Sequence, residues 1–143
     1  MFLKSSTSKE RLHFWRELRQ KEHNSLEELL LDFSNIKLES RYLDYYTPKS
    51  WPTPFEIVSE GYFCQSGITL ILTATLIYKN FLSEQEILLP VISNNVSGNT
   101  GLVVLDNNQV YNFNQGEICS WDFVKEHSTI FQINKIKAKD ISY

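Results

Sequence analysis

A basic surplus, a cysteine framework and a membrane-length apolar run are all missing from this chain of 143 residues. With 14 Lys and Arg against 17 Asp and Glu, the formal net charge is -3 at pH 7. The basic residues are scattered apart from Lys135, Lys137 and Lys139, which read as a solvated terminus, so nothing marks nucleic acid as a partner. Only two cysteines occur, Cys64 and Cys119, far apart in sequence. They exclude a disulfide framework but leave a single bridge open. The start turns polar by Lys4, too soon for a signal peptide, and the uncharged stretch from Gln65 to Tyr78 is short of spanning length and carries hydroxyls. The expectation is a soluble, cytoplasmic protein with no membrane partner. No repeat or low-complexity segment is present. Asn95-Val96-Ser97 matches the glycosylation pattern, but without a secretory signal it reads as chance.

What is present is apolar and aromatic. At 42% hydrophobic and 13% aromatic residues, the chain can bury one real core, so residues 1–143 read as a single domain. Thr7 or Ser8 can cap a helix carrying Leu12, Trp15 and Leu18, with Arg11, Arg16, Glu17 and Arg19 facing water. Ser25 with Glu28 three residues on caps a second short helix bearing Leu29, Leu30 and Phe33. From Lys37 to Pro54 there is no sustained period. Tyr42, Tyr45, Tyr46 and Trp51 make this an ordered connection whose aromatics need something to pack on. Thr53-Pro54-Phe55-Glu56 is a helix start with cap, first-turn proline and capping-box glutamate, and Gly61 stops that helix within about two turns.

Cys64 then opens the uncharged run. A thiol at a helix N-terminus meets unpaired N–H groups and the positive end of the helix dipole, which favour a thiolate nucleophile. The run itself is ambiguous, because Ile68, Thr69, Ile71, Thr73, Thr75 and Ile77 would equally suit a buried strand; its length favours a helix. Further on, residues 87–92, 102–105, 109–113 and 129–133 read as strands, with Asp106-Asn107-Asn108 turning the middle two into a hairpin. Residues 93–100 read as a polar loop. The fold class expected is α+β: N-terminal helices and a Cys-bearing core helix packed on an antiparallel sheet.

Trp51-Pro52-Thr53-Pro54-Phe55-Glu56 leading to Cys64, then Gly101-Leu102-Val103-Val104, Val110-Tyr111-Asn112-Phe113 and Ile130-Phe131-Gln132-Ile133-Asn134 stand in a telling order. From about Leu12 to Asn134 the chain resembles the bacterial transglutaminase-like cysteine proteinases of papain-like fold. In that family a helical start and a Trp-x-Thr-Pro-x-Glu stretch precede the cysteine, and later strands carry a histidine and a residue that orients it. The resemblance implies a protease ancestor acting on protein, with Cys64 as nucleophile and Asn112 at the orienting position. An amide there is compatible with papain-like triads. The departures are as informative. Phe63 and Gln65-Ser66 replace the acidic neighbours of the cysteine that calcium-dependent members use, so no calcium site is expected, and no other metal or cofactor. The histidine position falls on Thr100 or Gly101, neither of which can take a proton from a thiol.

Three other histidines could serve. His13 and His23 fall on polar, charged stretches and read as solvated. His127 precedes the last strand and could act as base only if sheet order carries that strand's start beside the Cys64 helix. Without a base the thiol forgoes general-base assistance, typically worth ~10²–10⁴-fold in rate. Cys119 and Trp121 read as core, as do Trp15 and Trp51, although Trp51 stands just ahead of the Thr53 helix start and is a candidate ligand contact. Three readings stay open: a catalytically impaired pseudoenzyme that binds a protein or peptide in the old substrate groove, an active cysteine hydrolase using Cys64, and an acidic interaction, immunity or inhibitor protein of unrelated ancestry.

Overall fold

The computed structural model describes residues 7–40, 42–82 and 86–141. The helices come first: α1 (Ser8–Gln20), α2 (Leu26–Leu31), α3 (Pro54–Glu60) and α4 (Gln65–Tyr78). An antiparallel sheet follows, of β1 (Glu86–Asn94), β2 (Thr100–Leu102), β3 (Val104–Asp106), β4 (Gln109–Tyr111), β5 (Ile118–Ser120) and β6 (Ser128–Lys137), with α5 (Trp121–His127) between the last two. The fold class is therefore α+β.

Each early helix begins on the residue its chemistry selects. Thr7, Ser25 and Thr53 accept from the N–H groups of Glu10, Glu28 and Glu56, and at Thr53 the glutamate reciprocates to complete a capping box. Gly61 ends α3 in the left-handed region, φ +79°. A Cβ there would also lie 2.7 Å from the guanidinium carbon of Arg11. Arg11 does not face water, contrary to its expected place on a solvated face. It is buried and donates to the carbonyls of Val58 (2.9 Å) and Ser59 (2.6 Å). A cation at the carbonyl end of α3 is favoured by the helix dipole and satisfies two terminal acceptors.

The segment that could have been strand is the helix α4, buried on every side from Ser66 to Leu76. A helix apolar all round must be enclosed, and α4 packs against α3 and β2. Its threonines do not breach this environment. Thr73 and Thr75 donate to the carbonyls of Thr69 (2.7 Å) and Ile71 (2.8 Å) one turn back, and the Thr75 oxygen also accepts from the Trp15 indole at 3.1 Å.

The sheet runs β6, β1, β2 with β3, β4, β5 across its width, every pairing antiparallel. Against β1, β2 and β3 share one register: Val91 faces Leu102 and Leu88 faces Leu105. They are one strand interrupted at Val103, whose N–H bonds to the Pro90 carbonyl at 3.2 Å. Proline has no N–H to return the bond. Asn107 and Asn108 both adopt positive φ (51° and 68°) in the two-residue turn between β3 and β4, the geometry that matches strand twist. Lys135 and Lys137 lie on β6 with their side chains exposed, as a solvated face of the sheet.

Side chains alternate between two cores. Leu89, Val91, Leu102, Val104 and Tyr111 join the helices in the larger one. On the other face Ile92, Val103 and Val110 meet Val124 of α5, with Cys119 and Trp121 packed alongside. Both cysteines are free thiols. Among the described residues no helix is long and apolar enough to cross a membrane.

Candidate functional site

Cys64 is the N-cap of α4, and its sulfur accepts the Gly67 N–H at 3.2 Å. It is 9% exposed and lines a cavity of about 870 Å³, together with Tyr45, Ser66, Thr100, Gly101 and Asn112. The first turn of α4 is fastened to the sheet beside it. Leu102 donates its N–H to the Ser66 hydroxyl (3.0 Å), and its carbonyl accepts from Gln65 Nε2 (2.6 Å) and Thr69 Oγ1 (2.7 Å). These groups point away from β1 and would otherwise be orphaned.

Asn112 closes the same network. It is buried, in the left-handed region at φ +70°, and its amide donates to the Gln65 carbonyl (3.1 Å) and to Thr69 Oγ1 (2.8 Å). Its own carbonyl accepts from Gln65 Nε2 at 3.1 Å. The backbone turn at Asn112 ends the pairing of β4 with β3 at Tyr111, so that β4 does not continue alongside β2.

Gln65 occupies the space a side chain at 101 would need. A Cβ on Gly101 would come within 2.0 Å of Gln65 Oε1 and 3.1 Å of Ser66 Oγ. The glutamine amide is held there by Leu102 and Asn112 on one side and by Ser66 Oγ, 3.1 Å from Oε1, on the other. Tyr45 reaches the same place from the connection between α2 and α3. Burial pushes its hydroxyl up from the ordinary tyrosine range, the charge of a Cys64 thiolate adds to the rise, and a hydrogen bond with Ser66 opposes it. Tyr45 therefore stays a neutral hydroxyl beside the sulfur.

No histidine lines this cavity. His13 lies on the exposed face of α1 with Nε2 3.1 Å from Glu17. His23 is not solvated, in contrast to its expected setting: its side chain is fully buried, with Nε2 2.7 Å from Asp32 Oδ2. The carboxylate, from α2's C-cap, supplies the partner that lets an imidazole leave water. His127 ends α5, on the second-core face of the sheet. Its Nδ1 engages the Phe123 carbonyl at 2.8 Å and its ring stacks on Phe123 at 4.1 Å. The sheet order does not bring it to the cavity. Trp51 lines a separate, smaller cavity of about 520 Å³ with Pro54, Leu70 and Ile136, and its indole donates to the Asp44 carbonyl at 2.7 Å. Among the described residues no group of three or more His, Cys, Asp or Glu could hold a metal.

The cavity thus joins Cys64 and Asn112, and leaves out His127 and Trp51. Gln65 and Tyr45 were not expected as members of the site. Tyr45 had a signal, an aromatic in an aperiodic stretch, whereas Gln65 was marked only as a replacement for an acidic neighbour of Cys64. Comparison with protein-family models, with curated proteins and with solved structures finds no match.

Proposed function

We propose that this chain is a transglutaminase-like, papain-like domain that no longer catalyses and instead binds protein or peptide in the cavity beside Cys64. The order of parts supports the reading: a Thr-Pro-x-Glu-capped helix, a cysteine capping a buried helix, then antiparallel strands that carry Gly101 and lead to Asn112. One observation carries the loss of catalysis. Neither Thr100 nor Gly101, the two positions at which the base is expected, carries an imidazole, and the Gln65 amide fills the space a side chain on Gly101 would need. General-base assistance to the thiol is then absent.

Iodoacetamide labelling at pH 7, followed by mass spectrometry of the Cys64 peptide, tests this together with a peptidase assay on unstructured protein. Slow labelling and no turnover are expected. Rapid labelling selective for Cys64, or a burst of acyl-enzyme, overturns the reading in favour of a cysteine hydrolase. Cys64→Ala should also leave ligand binding within about threefold, because in this reading the sulfur forms no bond to the ligand.

A further inference from the structure

The chain that brings Tyr45 to the sulfur is folded on itself and tied to the body at few points. Asp44 organises the stretch from Asp44 to Trp51: its carboxylate accepts from the Tyr46 N–H (3.0 Å) and the Thr47 hydroxyl (2.8 Å), and its carbonyl accepts from the Trp51 indole. Leu43, buried, and Trp51, half-buried against the larger core, root the two ends. Between them, residues 45–50 bury no side chain completely. Among the described residues, no backbone-to-backbone hydrogen bond runs from residues 43–51 to any other part of the molecule.

Two amide side chains of β6 make the tie instead. Asn134 donates to the Tyr45 carbonyl at 2.9 Å, and Gln132 reaches the Tyr46 carbonyl at 3.5 Å. Asn134 is buried and its amide is fully engaged: it also donates to the Leu89 carbonyl at 3.2 Å and accepts from Gln132 Nε2 at 2.7 Å. An amide satisfied on both sides is held in one orientation. Tyr45 thus has its carbonyl on Asn134 and its side chain beside Cys64 and Ser66 in the cavity. A segment with so little burial and so few bonds opens at lower free energy than the core it covers.

We infer that residues 44–51 form a strap latched by Asn134, and that its local opening, with the helices and sheet intact, controls entry to Cys64. As regulation of the binding site it rests on the role proposed above, which the latch itself does not require. Opening gives up two amide bonds and one half-buried tyrosine, whereas global unfolding exposes the whole of α4.

The test follows alkylation of the full chain by excess iodoacetamide, with the Cys64 and Cys119 peptides quantified separately by mass spectrometry. The Cys64 rate should hardly change with urea well below the unfolding midpoint, because strap opening exposes little surface. Asn134→Ala removes one bond to the strap and should speed Cys64 labelling about tenfold, with the Cys119 rate unchanged. Hydrogen exchange should find its α4 amides still protected. Tyr45→Ala keeps the carbonyl on the latch but removes the ring, and should also speed labelling. Val124→Ala weakens the second core, on the other face of the sheet, and should leave the Cys64 rate alone. A urea dependence as steep as that of global unfolding, acceleration by Val124→Ala equal to that by Asn134→Ala, or no acceleration by either strap variant overturns the strap. None of these touches the missing base. Turnover of a protein substrate by Asn134→Ala would do the reverse, overturning the impaired-enzyme reading while leaving the strap standing.

Discussion

Gly101 and Gln65 are neighbours only in space. A methyl at 101 must evict the Gln65 amide from its bonds to Leu102 and Asn112. Gly101→Ala should therefore cost about 1–3 kcal/mol in urea unfolding. Gln65→Ala removes the obstacle, so the double variant should be less destabilised than the sum of the singles; additivity within about 0.5 kcal/mol would break the link. Tyr111 yields a pH effect. Burial, and then the charge and hydrogen bond of Asp106 at 3.3 Å, push its hydroxyl well above the ordinary range. Its folded pKa exceeds the unfolded one, so its contribution is complete below about pH 10 and drains away as pH rises above that. Chemical denaturation from pH 8 to 11 should show falling stability, less steep in Tyr111→Phe. At this scale the sequence was least informative. Arg11 and His23 carry letters that normally mean solvent, and their partners, the carbonyls of Val58 and Ser59 and the Asp32 carboxylate, could not be seen from local pattern. Gln65 reaches Leu102 across 37 positions of chain.

Elements with a chemical start and stop were legible. The Thr53, Pro54, Glu56 and Gly61 signals all act as their types dictate, and Thr53→Ala should cost about 1 kcal/mol in thermal or urea unfolding. The α4 ambiguity was real, because threonine and isoleucine serve a helix only when the hydroxyls find carbonyls one turn back, as Thr73 and Thr75 do. Two elements went unread. β5 is three residues long, too short for alternation to register. α5 follows it without a turn, although Ser120 accepting from Phe123 is an ordinary cap that the sequence did display. The break between β2 and β3 has a cause visible in the letters, Pro90, but only once the pairing partner is known.

The whole molecule has unequal halves. The core under the helices is extensive, whereas the opposite face has, among the described residues, four buried apolar residues at its centre, Ile92, Val103, Val110 and Val124. Local opening follows buried contact. In native-state hydrogen exchange the amides of α5 and β5 should open at lower free energy than those of α4 and β1; equal protection would mean the two faces unfold as one. The helices-then-sheet order was legible as a whole, because helical caps cluster before residue 65 and alternation after residue 86. The split into two cores was not, since it depends on which face of each strand α5 covers.

β1 is bordered on one side by β2 and β3 and on the other by β6, which begins 34 residues after β1 ends. During vectorial synthesis the nascent chain must hold β1 with one flank bare until residues 128–137 have been made. Over that interval the growing polypeptide is open to clinging to a second copy of itself or to a chaperone.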